Sequence, residues 1–237
     1  MTVVPEAAST EPVPQARFQM PAGATLILLV RHGESAAVMP GQALPQLGGQ
    51  ADPPLAGIGR READLVGQRL RTEPIAAIYC SPLTRTVQTA APLADALGLT
   101  PMLEPGLREV FLGDVDGLNL QVLAAGGDAA VRRALREQRW ELLPGAEPQD
   151  SFAERVRGAI NGIAARHRDA VVVAFTHGGV IGQIIAEATG ATPHAFIGAD
   201  NASIARLVVM RSRWLVRGFN DTSHLHRSAA AVPTTTR

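Results

Sequence analysis

The stretch Leu26-Ile27-Leu28-Leu29-Val30-Arg31-His32-Gly33-Glu34-Ser35 runs five branched apolar residues straight into an arginine, a histidine and a glycine. An unbroken apolar run of this length fits an interior strand of a parallel sheet, which helices cover on both faces. Ligands of open α/β sheets bind just beyond the carboxyl ends of the strands. Arg31 and His32 stand at such an end, and Gly33 permits a backbone turn or the close approach of a ligand.

Two further stretches repeat the device. Residues 171–175 are apolar and mostly β-branched, break into Thr176-His177-Gly178-Gly179, and lead into a helical pattern with Ile181, Ile184 and Ile185 inward. Residues 75–80 predict another strand, after which Ser81-Pro82 supplies a helix N-cap and a proline for the first turn. That helix carries Leu83, Val87, Ala90, Ala94 and Leu97 on its apolar face and closes at Gly98. Arg85 lies in its first turn, where backbone N–H groups and the helix dipole favour an anion. Three strand ends thus bring two histidines and two arginines to one edge of a sheet.

Around these, residues 57–71 predict an amphipathic helix with Ile58, Leu65, Val66 and Leu70 inward, ended by Pro74. Residues 36–54, rich in Gly, Pro and Gln, form a loop beside the site. Residues 99–118 read as loop, with a short strand over 101–104 and an acidic cluster of Glu109, Asp114 and Asp116. A helix follows over 131–140 with Arg132, Arg136 and Arg139 on one stripe. Ser151-Phe152-Ala153-Glu154 is a capping-box pattern opening a helix with Phe152, Val156, Ile160 and Ile163 inward. Residues 203–209 and 213–219 form a strand pair about Arg211-Ser212. The expected organisation is a disordered leader over 1–21, one domain over 22–220 with a cap insertion over about 109–150, and a flexible tail over 221–237. His224 and His226 have a spacing that could bind metal, but a terminal tail is a poor scaffold for it, and no metal site is expected.

Composition narrows the chemistry. Formal net charge is zero, so no whole-protein field draws the chain toward nucleic acid or a membrane surface, and no partner of either kind is expected. All 22 basic residues are arginine. Without a lysine there is no Schiff base, no pyridoxal phosphate anchor and no P-loop, and any phosphate is held by the planar fork of arginine. The single cysteine, Cys80, excludes an internal disulfide and a cysteine-rich zinc site. It fits a reducing compartment, and a cytoplasmic location is the expectation. No apolar run is long enough to span a bilayer.

Two imidazoles and two guanidiniums around one point suit a dianionic group, most commonly phosphate, and histidine is a competent phosphoryl acceptor. Metal hydrolysis would want carboxylates where these strand ends carry arginine. A cysteine phosphatase would need five residues between Cys80 and Arg85, where four stand, and a glycine loop that Ser81-Pro82-Leu83 lacks. Dinucleotide binding lacks its glycine fingerprint after the first strand.

Five blocks, in order, carry a resemblance: Arg31-His32-Gly33-Glu34-Ser35; Asp52-Pro53-Pro54-Leu55 with Gly59 and Ala63; Ser81-Pro82-Leu83-Thr84-Arg85 with Gln88-Thr89-Ala90; Leu107-Arg108-Glu109 before Gly113 and Gly117; and Thr176-His177-Gly178-Gly179. From about residue 26 to 219 the chain resembles the histidine phosphatase superfamily in its phosphoglycerate mutase-like branch. The resemblance implies a three-layer α/β/α sandwich with a mostly parallel central sheet, and no metal or other cofactor. It implies that His32 is phosphorylated, that Arg31, Arg85 and His177 hold the phosphoryl oxygens, and that Glu109 donates the proton, with Gly33, Ser35 and Gly178 also facing substrate. The second histidine, so engaged, is expected to be held as a cation. The sequence departs from the branch at Val38, where mutase-like members often carry a substrate-touching asparagine, and in the length of the loop that follows.

The expected activity is hydrolysis of a small phosphorylated metabolite through a phosphohistidine. The alternatives are a phosphoglycerate mutase and, less favoured, a noncatalytic phosphate-binding module of the same fold. A mutase needs a closed cap with more cations, and only Arg132, Arg136 and Arg139 offer them. Whether the chain forms a homodimer stays open at this point.

Overall fold

A computed structural model describes residues 15–37, 44–211 and 213–225. The chain runs through β1 (Thr25–Arg31), a small hairpin of β2 (Gln46–Leu47) and β3 (Gln50–Ala51), α1 (Gly57–Leu70), β4 (Ile75–Cys80), α2 (Thr84–Leu97) and β5 (Met102–Leu103). It continues with α3 (Leu120–Ala125), α4 (Ala129–Glu137), α5 (Gln149–Arg166), β6 (Val171–Thr176), α6 (Gly178–Thr189), β7 (Ile204–Val209) and β8 (Trp214–Asp221). The central sheet has the order β5-β4-β6-β1-β7-β8. Its first four strands are mutually parallel, β7 runs antiparallel to β1, and β8 runs antiparallel to β7.

The apolar strands read as expected because they are covered twice. Leu28 and Val30 of β1 point with Ile78, Val173 and Phe175 into a core closed by Val66 and Leu70 of α1 and Ala90 and Leu93 of α2. Ile27 and Leu29 point the other way, with Val172 and Ala174, onto Val156, Ile160 and Ile163 of α5 and Ile181, Ile184 and Ile185 of α6. This is the three-layer sandwich. Ile27, Leu28, Leu29 and Val30 are all at 0% exposure, and burying each such side chain stabilises the fold by about 2 kcal/mol. A third, smaller cluster of Val115, Val131, Ala134 and Leu143 gives the segment after Glu109 its own core.

Several local expectations need correction. Ile58 is 44% exposed, and α1 packs instead through Gly59, Ala63, Val66 and Leu70. Helix α2 starts at Thr84, and Val87 is exposed. Helix α5 starts at Gln149 behind Pro148, which puts Ser151 inside the first turn rather than at the cap. Helix α4 is capped by Asp128 and ends at Glu137, so Trp140 falls in a separate 3-10 turn. Helix α3, capped by Asn119, falls between the loop over 99–118 and the helix over 131–140 that the sequence pattern assigns.

The ends also differ from expectation where they are described. The last strand continues through Asp221, and His224 is buried with its Nε2 3.1 Å from the Ala202 carbonyl, so the tail packs on the domain as far as Leu225. At the other end, the Arg217 guanidinium stacks 3.9 Å over the ring of Phe18. Val38, His226 and most of the leader lie outside the described residues. Among the described residues no helix is long and apolar enough to cross a membrane.

Candidate active site

Strand register creates the site. Strands β1 and β6 pair in parallel with Arg31 opposite Thr176, so the next residue of each strand, His32 and His177, leaves the sheet at the same height. The His32 N–H still donates to the Thr176 carbonyl at 3.0 Å, and the two rings lie 5.1 Å apart at 60°. Strand β4 pairs with the other side of β6, and the Ser81 N–H donates to the Phe175 carbonyl at 3.1 Å. Three adjacent strands therefore end on His32, His177 and Ser81.

His32 is buried, and its Nδ1 lies 2.7 Å from the Gly33 carbonyl. That acceptor requires the proton on Nδ1 and leaves Nε2 with its lone pair. Burial, reinforced by the charges of Arg85 and Arg31, lowers the His32 pKa from 6.5 to about 3, so the ring is neutral at physiological pH. The Asn201 side-chain amide and the Ala202 N–H both donate to the His32 carbonyl, at 2.9 and 3.2 Å, which fixes the backbone from the β7 side.

His177 is fully buried, with Nε2 2.8 Å from Ser81 Oγ and no partner for Nδ1. Burial, followed by Arg85, His32 and Arg31, holds its pKa well below 6.5. Ser81 is thus not a helix cap. Its hydroxyl contacts Thr86 Oγ1 at 2.9 Å as well as the histidine, and helix α2 begins beyond it.

Arg31 donates one N–H to the Ala199 carbonyl at 2.5 Å, while its Nε is buried without a partner. Arg85 donates to the Ala51 carbonyl at 3.1 Å and lies 4.0 Å from Asp52. Burial opposes the Arg85 charge, and Glu109, Asp52 and Asp116 favour it. Asp52 also accepts from the Thr84 N–H and hydroxyl, at 2.7 and 2.6 Å, capping α2 from the β3 loop and setting the turn that carries Arg85. Cys80 is buried, and its thiol is pushed up to about 11, a protonated and inert neighbour.

Glu109 comes in from the side on the loop after β5. Its carboxylate accepts from the Val110 N–H at 2.9 Å and, across the site, from the Gly179 N–H at 3.1 Å in the first turn of α6. A Cβ on Gly179 would collide with that carboxylate, whereas one on Gly178 would only touch Arg31 Nε at 3.5 Å. The glycine that the site requires sterically is therefore Gly179. Gly33 is likewise reinterpreted. Its φ is not left-handed, and a Cβ there would strike the backbone of Gly59 in α1. Ser35 forms an isolated antiparallel bridge with Leu55, and its hydroxyl makes no hydrogen bond among the described residues.

Residues that sequence reasoning missed are Ser81 as the partner of His177, Asn201 on the His32 carbonyl, Asp52 as an external cap, and Arg155. The Arg155 guanidinium donates to the Gly106, Arg108 and Glu109 carbonyls at 3.0, 2.8 and 2.9 Å. It also pairs with Glu147. A cavity of about 530 Å³ lies beside this loop, lined by Gln50, Arg108, Glu109, Phe111, Glu147 and Arg155 among others. Neither histidine lines it, whereas Glu109 does. Among the described residues no three His, Cys, Asp or Glu side chains gather as a metal site.

Chemically, the arrangement offers a neutral histidine nucleophile flanked by cations and by two buried, unpartnered nitrogens, Arg31 Nε and His177 Nδ1. Such a cluster suits the equatorial oxygens of a phosphoryl group. Comparison with known proteins shows the family. The profile described as histidine phosphatase superfamily (branch 1) matches residues 27–222. The chain is 31% identical over 210 residues to a probable phosphoglycerate mutase, GpmB, of Yersinia enterocolitica, covering 86% of this chain and 96% of the relative. Among solved structures, Bacillus stearothermophilus YhfR superposes with a TM-score of 0.72 at 26% identity, over 85% of this chain and 99% of that one. A mycobacterial glucosyl-3-phosphoglycerate phosphatase superposes with a TM-score of 0.70 at 26% identity, over 84% and 100%.

Proposed function

Because the chain belongs to the histidine phosphatase superfamily, branch 1, we propose that it is a phosphomonoester hydrolase that passes the phosphoryl group of a small phosphate ester to His32 and then to water. The observation that carries this reading is the Gly33 carbonyl at 2.7 Å from His32 Nδ1, which presents Nε2 of a neutral ring as the nucleophile.

Nε2 attacks phosphorus as the bond to the ester oxygen breaks. Arg31, Arg85 and His177 hold the other three oxygens as charge shifts onto them. If Ser81 Oγ donates to His177 Nε2, the proton of that ring is on Nδ1, and His177 serves as a neutral donor. Glu109 gives its proton to the departing alkoxide. It then takes one from the water that attacks phosphohistidine, so inorganic phosphate leaves and the carboxyl is restored.

Hydrolysis is favoured over phosphate transfer between hydroxyls by the state of the cap cations. Arg132 donates to the Ala124 carbonyl at 2.6 Å, Arg136 lies 3.7 Å from Glu137, and Arg139 pairs with Glu141 at 2.8 Å. Each already has a carbonyl or a carboxylate beside it, which weakens its hold on a second acidic group of a phosphoglycerate. The mutase reading draws support from the name of the 31%-identical relative. Turnover of p-nitrophenyl phosphate by the wild type, lost in His32→Ala, tests the first reading, and retention of most activity in the variant would refute it. A coupled assay of 3-phosphoglycerate with a bisphosphate primer tests the second. Isomerisation faster than phosphate release would make the enzyme a mutase, and no turnover of either kind would leave a phosphate-binding module.

A further inference from the structure

The backbone that carries Glu109 is suspended from side chains. The Gly106, Arg108 and Glu109 carbonyls accept from Arg155, the Leu107 carbonyl accepts from Thr176 Oγ1 at 2.8 Å, and the Glu109 carbonyl also accepts from the Gln50 amide at 2.9 Å. Four consecutive carbonyls are therefore held from β6, β3 and α5, with no strand ladder fixing the loop. Arg155 supplies most of this. A guanidinium has five N–H bonds, and here all five are committed. Three go to the carbonyls, and two go to Glu147, at 2.6 and 2.8 Å.

Glu147 extends the clamp past the acid. Its N–H donates to the Phe111 carbonyl at 2.9 Å, and its carboxylate lies 3.4 Å from the Phe111 N–H. Glu109 is thus gripped on its amino side by Arg155 and two residues beyond by the partner of Arg155. Gly106 fits against α5 closely enough that a Cβ would meet the Arg155 carbonyl at 2.9 Å. The loop cannot slide along the helix without losing these bonds together.

We infer that Arg155, braced by Glu147, is a positioning residue for Glu109 and sets the distance between its carboxyl and the leaving-group oxygen. This rests on the reading of the chain as a phosphohistidine phosphatase. A proton donor displaced by about 1 Å costs on the order of a hundredfold in rate, and the loss falls on leaving groups that need the proton. Lysine, with three donors on a flexible stem, cannot replace the fork.

The test compares kcat/KM for an alkyl phosphate and for p-nitrophenyl phosphate in wild type, Arg155→Gln, Arg155→Lys and Glu147→Gln. Arg157→Gln serves as a control, because this exposed neighbour on α5 pairs with Glu187 of α6 and not with the loop that carries Glu109 among the described residues. The control should change neither value. Arg155→Gln and Arg155→Lys should lose about a hundredfold on the alkyl ester and far less on the aryl ester, and Glu147→Gln should lose in the same direction by less. In a Glu109→Gln background, Arg155→Gln should add little further loss, since the group it positions is already gone. Equal losses on both esters, or additive losses in the double variant, would make Arg155 merely structural. If Arg155→Gln does not fold by circular dichroism, the ester ratio of Glu147→Gln decides. Labelled p-nitrophenyl phosphate should leave label on wild type and Arg155→Gln but not on His32→Ala. Absence of label on the wild type would overturn the hydrolase reading and this inference with it.

Discussion

Ser81 Oγ lies 2.8 Å from His177 Nε2 and also accepts the Leu83 N–H at 3.3 Å, so one hydroxyl ends strand β4, starts the turn into α2 and orients the second histidine. The buried His177 ring has no other hydrogen bond to fix its tautomer. Ser81→Ala should lower kcat/KM by about tenfold, the worth of one lost hydrogen bond of about 1.4 kcal/mol. The loss should be equal for alkyl and aryl phosphates, because His177 meets the phosphoryl group and not the leaving group. A loss confined to alkyl esters would place His177, rather than Glu109, in the proton-donating role.

A second prediction concerns two glycines of one helix. A Cβ on Gly59 would stand 2.7 Å from the Glu34 nitrogen and 2.9 Å from its carbonyl carbon, both rigid backbone atoms in the segment just after His32. A Cβ on Gly57 would meet nothing within 4 Å. Gly59→Ala should destabilise the fold by about 2 kcal/mol through overpacking and lower activity by displacing the His32 loop. Gly57→Ala should stabilise it by about 0.5 kcal/mol through reduced chain entropy. Urea unfolding of the two variants checks both signs, and a neutral Gly59→Ala would show that the loop yields freely.

The pH dependence of stability follows from the two neutral histidines. Both have folded pKa values below the ordinary 6.5, about 3 for His32, so as pH falls the unfolded chain takes up these protons first. For His32 the contribution is fully present above about pH 6.5 and is lost as pH drops toward 3, at about 1.4 kcal/mol per pH unit, and His177 acts in the same direction. Urea midpoints measured from pH 7.5 to 4 should fall, and the slope below 6.5 should be shallower in His32→Asn. Parallel curves for variant and wild type would mean that His32 titrates normally in the folded state.

These residues also show what the sequence could disclose. Strands β1 and β6 are legible because double burial demands unbroken apolar runs, His32 and His177 because they follow strand ends directly, and Arg85 because it falls in the first turn of the helix after β4. Helix starts were not. Ser81 and Ser151 have the composition of caps, but Ser81 is taken by His177, while Pro148 begins α5 three residues before Ser151. The pattern at Gly33 points to a turn or a ligand contact, whereas its close neighbour Gly59 lies in a helix whose approach no local pattern encodes. Arg155 is separated by 46 residues from Glu109 and sits in an ordinary amphipathic helix, so its five bonds have no signature in one dimension.

The last prediction concerns Glu109. Its two oxygens rest on the Val110 and Gly179 N–H groups at 2.9 and 3.1 Å, which holds the carboxyl at the N-terminus of α6, two residues after His177. A glutamine keeps the shape but faces one of those N–H groups with its own NH₂ and has no acidic proton to give. General acid assistance is worth about a hundredfold to ten-thousandfold when the leaving group is a poor one. An alkoxide needs that help, and p-nitrophenolate departs with little. Glu109→Gln should therefore lower kcat/KM for an alkyl phosphate by about a thousandfold and that for p-nitrophenyl phosphate by about tenfold or less. The quantity is kcat/KM because it stops at departure of the leaving group and excludes attack of water on phosphohistidine, a step that both esters share. Equal loss on the two esters would assign Glu109 a structural role. Asp114 or Asp116, the other carboxyls of the same acidic cluster, would then be the ones to test.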